Sequence, residues 1–228
     1  MKREIKKVAV LGAGVMGTGI AAHIANVGIP SLMLDIVPPF LTEDEKKIPA
    51  KRNMFAAGGL KKALKSKPAL FYTKSGGDLI EVGNFEDDLH KISECDWIIE
   101  VVKEDLGIKQ DLFKEVLKHR KEGCLVTSNT SGLSIESMTE GMPEEFCRNF
   151  MVTHFFNPVR YLKLLEIVSG PKTDPDAVEF LADFGENVLG KGIVYGKDTP
   201  NFVANRIGIH AVMSALEIMR EMGLGIEA

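Results

Sequence analysis

Cysteine is scarce in this chain of 228 residues: only Cys95, Cys124 and Cys147 are present. They are odd in number and widely spaced, and they form no CxxC or Cys/His cluster. Neither a disulfide framework nor a metal site is therefore expected, and a reducing, cytoplasmic setting fits best. A surplus of either charge is also missing. The 28 Lys and Arg against 32 Asp and Glu give a formal charge of −4, with a pI near 5.8. That balance supplies no general electrostatic reason to bind nucleic acid or an anionic membrane. There are no repeats and no low-complexity tracts. The N-terminal MKREIKKVAVLGAGVMG superficially mimics a signal peptide, but glycines and a strand pattern break up its apolar region, so no targeting or membrane-spanning segment is expected.

What is present is a core-forming chain, 45% hydrophobic, organised as short apolar runs between amphipathic stretches. The runs are Lys7–Leu11, Ser31–Asp35, Leu79–Gly83, Trp97–Val101 and Leu125–Ser128. Helical patterns lie at Gly17–Val27, Arg52–Lys65, Ile108–His119 and Asp176–Leu189. This alternation predicts an α/β fold, a Rossmann-like, doubly wound, mostly parallel sheet. A last helix from about Asn201 to Met222 is apolar nearly all round, which normally belongs inside a bundle. The segment Lys197–Pro200 before it predicts a boundary between residues 1–197 and 198–228.

The stretch KVAVLGAGVMG carries Gly12, Gly14 and Gly17 in GxGxxG spacing, directly after a strand and opening a helix, with Val15 and Met16 inside the motif. A second strand ends in Asp35, 18 positions after Gly17. Each glycine has its own reason: Gly12 permits the tight turn, Gly14 lets the backbone approach a pyrophosphate, and Gly17 lets helix and strand pack closely. The helix N-terminus offers N–H groups and a positive dipole end to phosphates. Asp35 would accept from an adenosine ribose and repel a 2′-phosphate. With Ile36 and no arginine following it, the preference is for NAD over NADP.

A second stretch, THFFNPVRYLKLLEI, places His154 and Glu166 in two apolar segments joined by an Asn-Pro turn. For a lone histidine in an apolar run the commoner case is a buried ring satisfied by a backbone carbonyl. The other reading is an acid/base pair. The two residues are equidistant from Arg160, so an antiparallel hairpin centred there puts them opposite each other with Cβ atoms about 5 Å apart. A carboxylate inside an apolar strand needs a partner. One beside an imidazole fixes its tautomer and leaves the other nitrogen free to take a proton.

Taken together, the glycine fingerprint, SNTS at Ser128–Ser131, HFFNP at His154–Pro158, Glu166 and the late DTPNFVANR resemble the L-3-hydroxyacyl-CoA dehydrogenases of fatty-acid β-oxidation, over essentially the whole sequence. The β-hydroxyacid dehydrogenases share only a GxGxMG start and use a lysine for acid/base work. The stretch GLKKALKSKPALF further resembles the dehydrogenase part of long proteins fused to an enoyl-CoA hydratase. The resemblance implies NAD-dependent oxidation of an L-3-hydroxyacyl-CoA to the 3-ketoacyl-CoA, with His154 as the base and Glu166 as its partner. It puts polar substrate contacts on Ser131, Asn157 and Asn205, although Asn157 before a proline is also a common turn residue and Ser131 a possible helix cap. It places Val101 beside the ribose and nicotinamide, Asn129 next to the nicotinamide, and Glu104 and Lys109 as polar cofactor contacts. Charged residues at a helix start are equally often solvated or capping. The CoA moiety falls to the cluster Lys61, Lys62, Lys65 and Lys67, which otherwise reads as a solvated helix face.

The family continues past the end of this sequence with an all-helical domain that covers the site and forms a dimer interface, so residues 198–228 are expected to be the first helix of a truncated domain. A homodimer or larger assembly through that helix follows as an expectation, as does weak turnover of this piece alone. The competing class is a non-catalytic NAD-binding module of a larger protein.

Overall fold

The computed structural model describes residues 3–225. Its first half is built from β1 (Val8–Leu11), α1 (Val15–Asn26), β2 (Ser31–Asp35), α2 (Pro49–Arg52), α3 (Met54–Ala63), β3 (Ile80–Asn84), β4 (Trp97–Glu100) and α4 (Leu106–His119). Its second half comprises β5 (Leu125–Ser128), α5 (Ile135–Met138), α6 (Glu144–Arg148), β6 (Phe150–Phe155), β7 (Leu164–Ser169), α7 (Pro175–Asn187), β8 (Gly192–Gly196) and α8 (Ala204–Glu221). The strands form one eight-stranded sheet in the order β3-β2-β1-β4-β5-β6-β7-β8. Every neighbouring pair is parallel except β6 and β7.

The central strands read as continuous apolar runs because both faces are covered. In β1, Val8 and Val10 join the layer of Ile20 and Ile24 from α1, Ala56 from α3 and Leu181 from α7. Ala9 and Leu11 face the opposite layer, with Phe113 and Val116 of α4, Ile135 of α5 and Phe146 of α6. Local chemistry sets the helix ends. The Asp105 carboxylate accepts from the Ile108 N–H at 3.0 Å, so α4 starts two residues before the apolar pattern suggests. Asp174 caps α7, with Pro175 at the first helical position.

Two features depart from the sequence reading. The expected helix Arg52–Lys65 is broken at Asn53 into α2 and α3. An eighth strand, β8, pairs parallel to β7 at the sheet edge. The boundary near residue 198 is knitted into the sheet domain. Asp198 accepts from the Ser134 hydroxyl and the Ile135 N–H, and Phe202 is buried in the apolar layer that also holds Val168 and Phe146. Asn201 and Phe202 take φ of 64° and 45°, a left-handed conformation that costs a non-glycine residue about 1–3 kcal/mol. Burying the Phe202 ring works against that cost. Beyond its first turn α8 leaves the body, and none of its residues is buried.

Candidate active site and cofactor groove

The glycine loop emerges from the carboxyl end of β1. Gly12 has φ +117°, and a Cβ there would stand 2.5 Å from the Val101 carbonyl oxygen. A Cβ on Gly17 would be 1.8 Å from the Gly12 carbonyl oxygen, so helix and loop could not approach as they do. A Cβ on Gly14 would meet nothing within 4 Å, so the open side of that residue leaves room for a ligand against bare backbone. Gly14 is the N-cap of α1 and no side chain caps that helix, so the first-turn N–H groups at Val15, Met16 and Gly17 are left for an anion. Val15 is exposed and Met16 packs partly into the core beneath.

Asp35 ends β2 with both carboxylate oxygens engaged: Ala13 N–H donates to one at 2.7 Å and Ile36 N–H to the other at 2.7 Å. The carboxylate is thereby fixed beside the loop. Gly12, Gly14, Asp35 and Val101 line a groove of about 950 Å³ that continues over Leu89 and Leu112. A second groove of about 610 Å³ lies across the loop, bounded by Gly14, Asp35, Phe55 and Lys62. The open cradle, uncapped helix start and acidic strand end fit a dinucleotide.

The second centre is built by the β6–β7 pairing. His154 is in register with Glu166, as the sequence symmetry about Arg160 predicts. His154 Nδ1 lies 2.8 Å from Glu166 Oε2, and both side chains are buried. The other Glu166 oxygen accepts from the N–H groups of Val203 at 3.2 Å and Ala204 at 2.7 Å. With three donors converging on it, Glu166 is the acceptor, which assigns the proton to Nδ1 and leaves Nε2 with a lone pair. Ser131 Oγ stands 3.3 Å from that Nε2. The rings of Phe156 and Phe202, with centroids 4.4 Å and 5.9 Å from the imidazole, wall the histidine.

The sequence matches the family model described as the 3-hydroxyacyl-CoA dehydrogenase NAD binding domain over residues 7–199. The chain belongs to this family. A probable 3-hydroxyacyl-CoA dehydrogenase of Bacillus subtilis is 52% identical over 229 aligned positions, covering 98% of this chain and 29% of the relative. One of Deinococcus radiodurans is 47% identical over 221, covering 97% of this chain and 62% of the relative. The crystal structure of an (S)-3-hydroxybutyryl-CoA dehydrogenase from Ralstonia eutropha superposes with a TM-score of 0.77 at 26% identity, over 98% of this chain and 75% of that one. The chain thus spans under two thirds of the length of the two curated relatives.

As a 3-hydroxyacyl-CoA dehydrogenase NAD-binding domain, the chain takes NAD as its cofactor. Its other sequence-predicted residues fall in distinct places. Glu104 accepts from the Ser131 N–H at 3.1 Å and from the Thr130 hydroxyl. Burial pushes its carboxyl up, but the Thr130 bond and the Lys109 ammonium outweigh that and hold it below the usual range. Lys109 departs from the expected cofactor contact. It is 1% exposed, its ammonium 2.6 Å from Glu100 and 3.2 Å from Glu104, so it braces Glu104 from beneath. Asn129 Oδ1 accepts from the Phe155 N–H at 2.8 Å, tying the end of β5 to the histidine strand. Asn157 is exposed at the start of the turn after β6, and Asn205 follows Ala204 in the first turn of α8. Lys61, Lys62, Lys65 and Lys67 are all exposed.

Glu100 escaped the sequence reading. It is fully buried at the end of β4, accepts from Ser128 Oγ at 2.5 Å and from the Val102 N–H at 2.7 Å, and pairs with Lys109. The signal was available: a glutamate in the apolar run WIIEVV demands a partner for the reason that Glu166 does.

Proposed function

We propose that this chain is the cofactor-binding and acid/base part of an NAD-dependent 3-hydroxyacyl-CoA dehydrogenase of fatty-acid β-oxidation, oxidising L-3-hydroxyacyl-CoA to 3-ketoacyl-CoA. The observation that carries the reading is the Glu166–His154–Ser131 line, in which a carboxylate fixes one imidazole nitrogen and the other faces a hydroxyl. Gly12, Gly14, Val15, Met16, Gly17, Asp35, Val101 and Asn129 would hold the dinucleotide, with Glu104 beside them on its Lys109 support. When bound, NAD supplies the hydride acceptor. His154 Nε2 takes the proton of the substrate's 3-hydroxyl, and Glu166 stabilises the imidazolium that results. In the reverse direction the imidazolium returns the proton to the forming alkoxide. Ser131, Asn157 and Asn205 donate to the oxygen as it alternates between alcohol and ketone. The exposed lysines at 61, 62, 65 and 67 suit the anionic CoA.

Residues 198–228 belong in this reading to the beginning of a helical domain, which the exposed apolar surface of α8 supports. That surface also favours a homodimer or larger assembly. Among the described residues no helix is long and apolar enough to cross a membrane; a cytoplasmic place is part of the proposal, from the three scattered cysteines. The test is NADH formation from 3-hydroxybutyryl-CoA by the longer parent protein and by residues 1–228. Turnover in the parent with little in the piece supports the reading. A parent that binds NADH but never turns over would make the chain a non-catalytic module.

A further inference from the structure

Lys191 places a cation where cations are costly. It lies in the loop between α7 and β8 and is 5% exposed. Among the described residues it makes no ion pair; it bears on His23 of α1, which the Arg160 guanidinium of the β6–β7 turn also reaches, and neither of these is an anion. Its ammonium instead donates to two backbone carbonyls of that turn, those of Val159 and, at 2.9 Å, Leu162. It also stands 5.8 Å from the centroid of Phe155, the residue after His154. The next residue extends the grip, Gly192 N–H donating to the Lys163 carbonyl at 2.8 Å. Every one of these acceptors lies between the strand that carries His154 and the strand that carries Glu166.

We propose that Lys191 is a positioning residue for the His154–Glu166 pair, its ammonium pinning the turn that sets the register of β6 against β7. The proposal rests on the dehydrogenase reading of that pair. An uncompensated buried cation is not needed for packing, because a methionine fills similar volume. What a methionine cannot do is satisfy two buried carbonyls. Register matters because side chains alternate between faces along a strand, and a misplacement of about 1 Å at a reacting group can cost about 10²-fold in rate.

Burial holds the Lys191 ammonium down to about 8. Burial, reinforced by Lys191 and Arg160, pushes His23 down to about 4, so His23 stays neutral around the ammonium at neutral pH. The sign follows. The folded protein favours neutral Lys191 relative to the unfolded chain, so its contribution to stability rises as pH climbs from about 8 toward the ordinary value of 10.5. Its hold on the turn weakens over the same range. Activity should therefore fall at alkaline pH without loss of folding stability.

The test uses the full-length parent with NAD, comparing wild type, Lys191→Met and Lys191→Arg by kcat and KM against pH. It adds amide hydrogen exchange over residues 156–163 and the imidazole nitrogen resonances of His154. In Lys191→Met, kcat at neutral pH should drop about 10- to 100-fold with NADH affinity unchanged, and turn exchange should quicken. Lys191→Arg should restore most of kcat and carry the alkaline fall to higher pH. Wild type should show faster turn exchange above pH 8, beyond the intrinsic base-catalysed increase, so the proposal is tested even if Lys191→Met does not fold. Wild-type kcat and pH profile in Lys191→Met, or no change in turn exchange, would overturn it. A parent without dehydrogenase activity would defeat the functional reading alone. The His154 resonances then decide: a shift in Lys191→Met supports the positioning role, and identical spectra overturn it.

Discussion

Asp35 does two things with one carboxylate. Its oxygens hold the Ala13 and Ile36 N–H groups, and its charge faces the groove beside Gly14. Discrimination between cofactors should follow from that charge, since a 2′-phosphate placed there meets an anion already fixed by two hydrogen bonds. Fluorescence titration should show clear preference for NADH over NADPH, and Asp35→Asn should narrow it. Equal affinities in the wild type would remove Asp35 from this role. Much of the candidate site was legible at this scale because its chemistry is positional: glycines at fixed spacing, an acid at a strand end, and His154 and Glu166 placed symmetrically about a turn. Lys109 lies under the groove and not in it because the buried Glu100 carboxylate draws its ammonium inward. Once Glu100 is buried in β4, the helical turn that follows must deliver a cation inward, and Lys109 is the one it delivers.

Among the elements, α8 is the one whose position depends most on the site. Its first two N–H groups end on Glu166, so the positive end of the helix dipole meets a carboxylate that also holds His154. A glutamine at 166 presents one acceptor oxygen to three donors. In Glu166→Gln the N–H groups of Val203 and Ala204 should exchange faster, and the chain should lose about 1–3 kcal/mol of stability to unmet hydrogen bonds. Exchange mass spectrometry and denaturant unfolding measure both, and unchanged protection at 203–204 would separate helix docking from Glu166. The elements legible in sequence were those with a strong period: five parallel strands, the hairpin, and four of the long helices. The strand β8 was not, because it is an edge strand begun and ended by glycine, with Tyr195 turned outward. The start of α8 was placed within a few residues, whereas the left-handed turn at Asn201 and Phe202 was not legible: asparagine tolerates that conformation but is common elsewhere, and phenylalanine gives no such signal.

For the whole molecule, the sheet domain buries its apolar residues on two faces, and α8 leaves Ile207, Ile209, Val212, Met213, Leu216 and Ile218 exposed. A contiguous apolar surface larger than a few hundred Å² is rarely left open in a soluble monomer. Residues 1–228 alone should therefore form a dimer or larger assembly through α8, by exchange of the helix or by direct pairing. Light scattering at micromolar concentration checks this, and a stable monomer would contradict it. The proposed reaction joins the groove at β1, β2 and β4 to the pair on β6 and β7. The most direct measurement is turnover of 3-hydroxybutyryl-CoA by the parent protein and its His154→Gln variant, alongside NADH affinity. If His154 is the base, kcat should fall about 10²–10⁴-fold with NADH binding preserved; near-normal turnover in the variant would rule that role out.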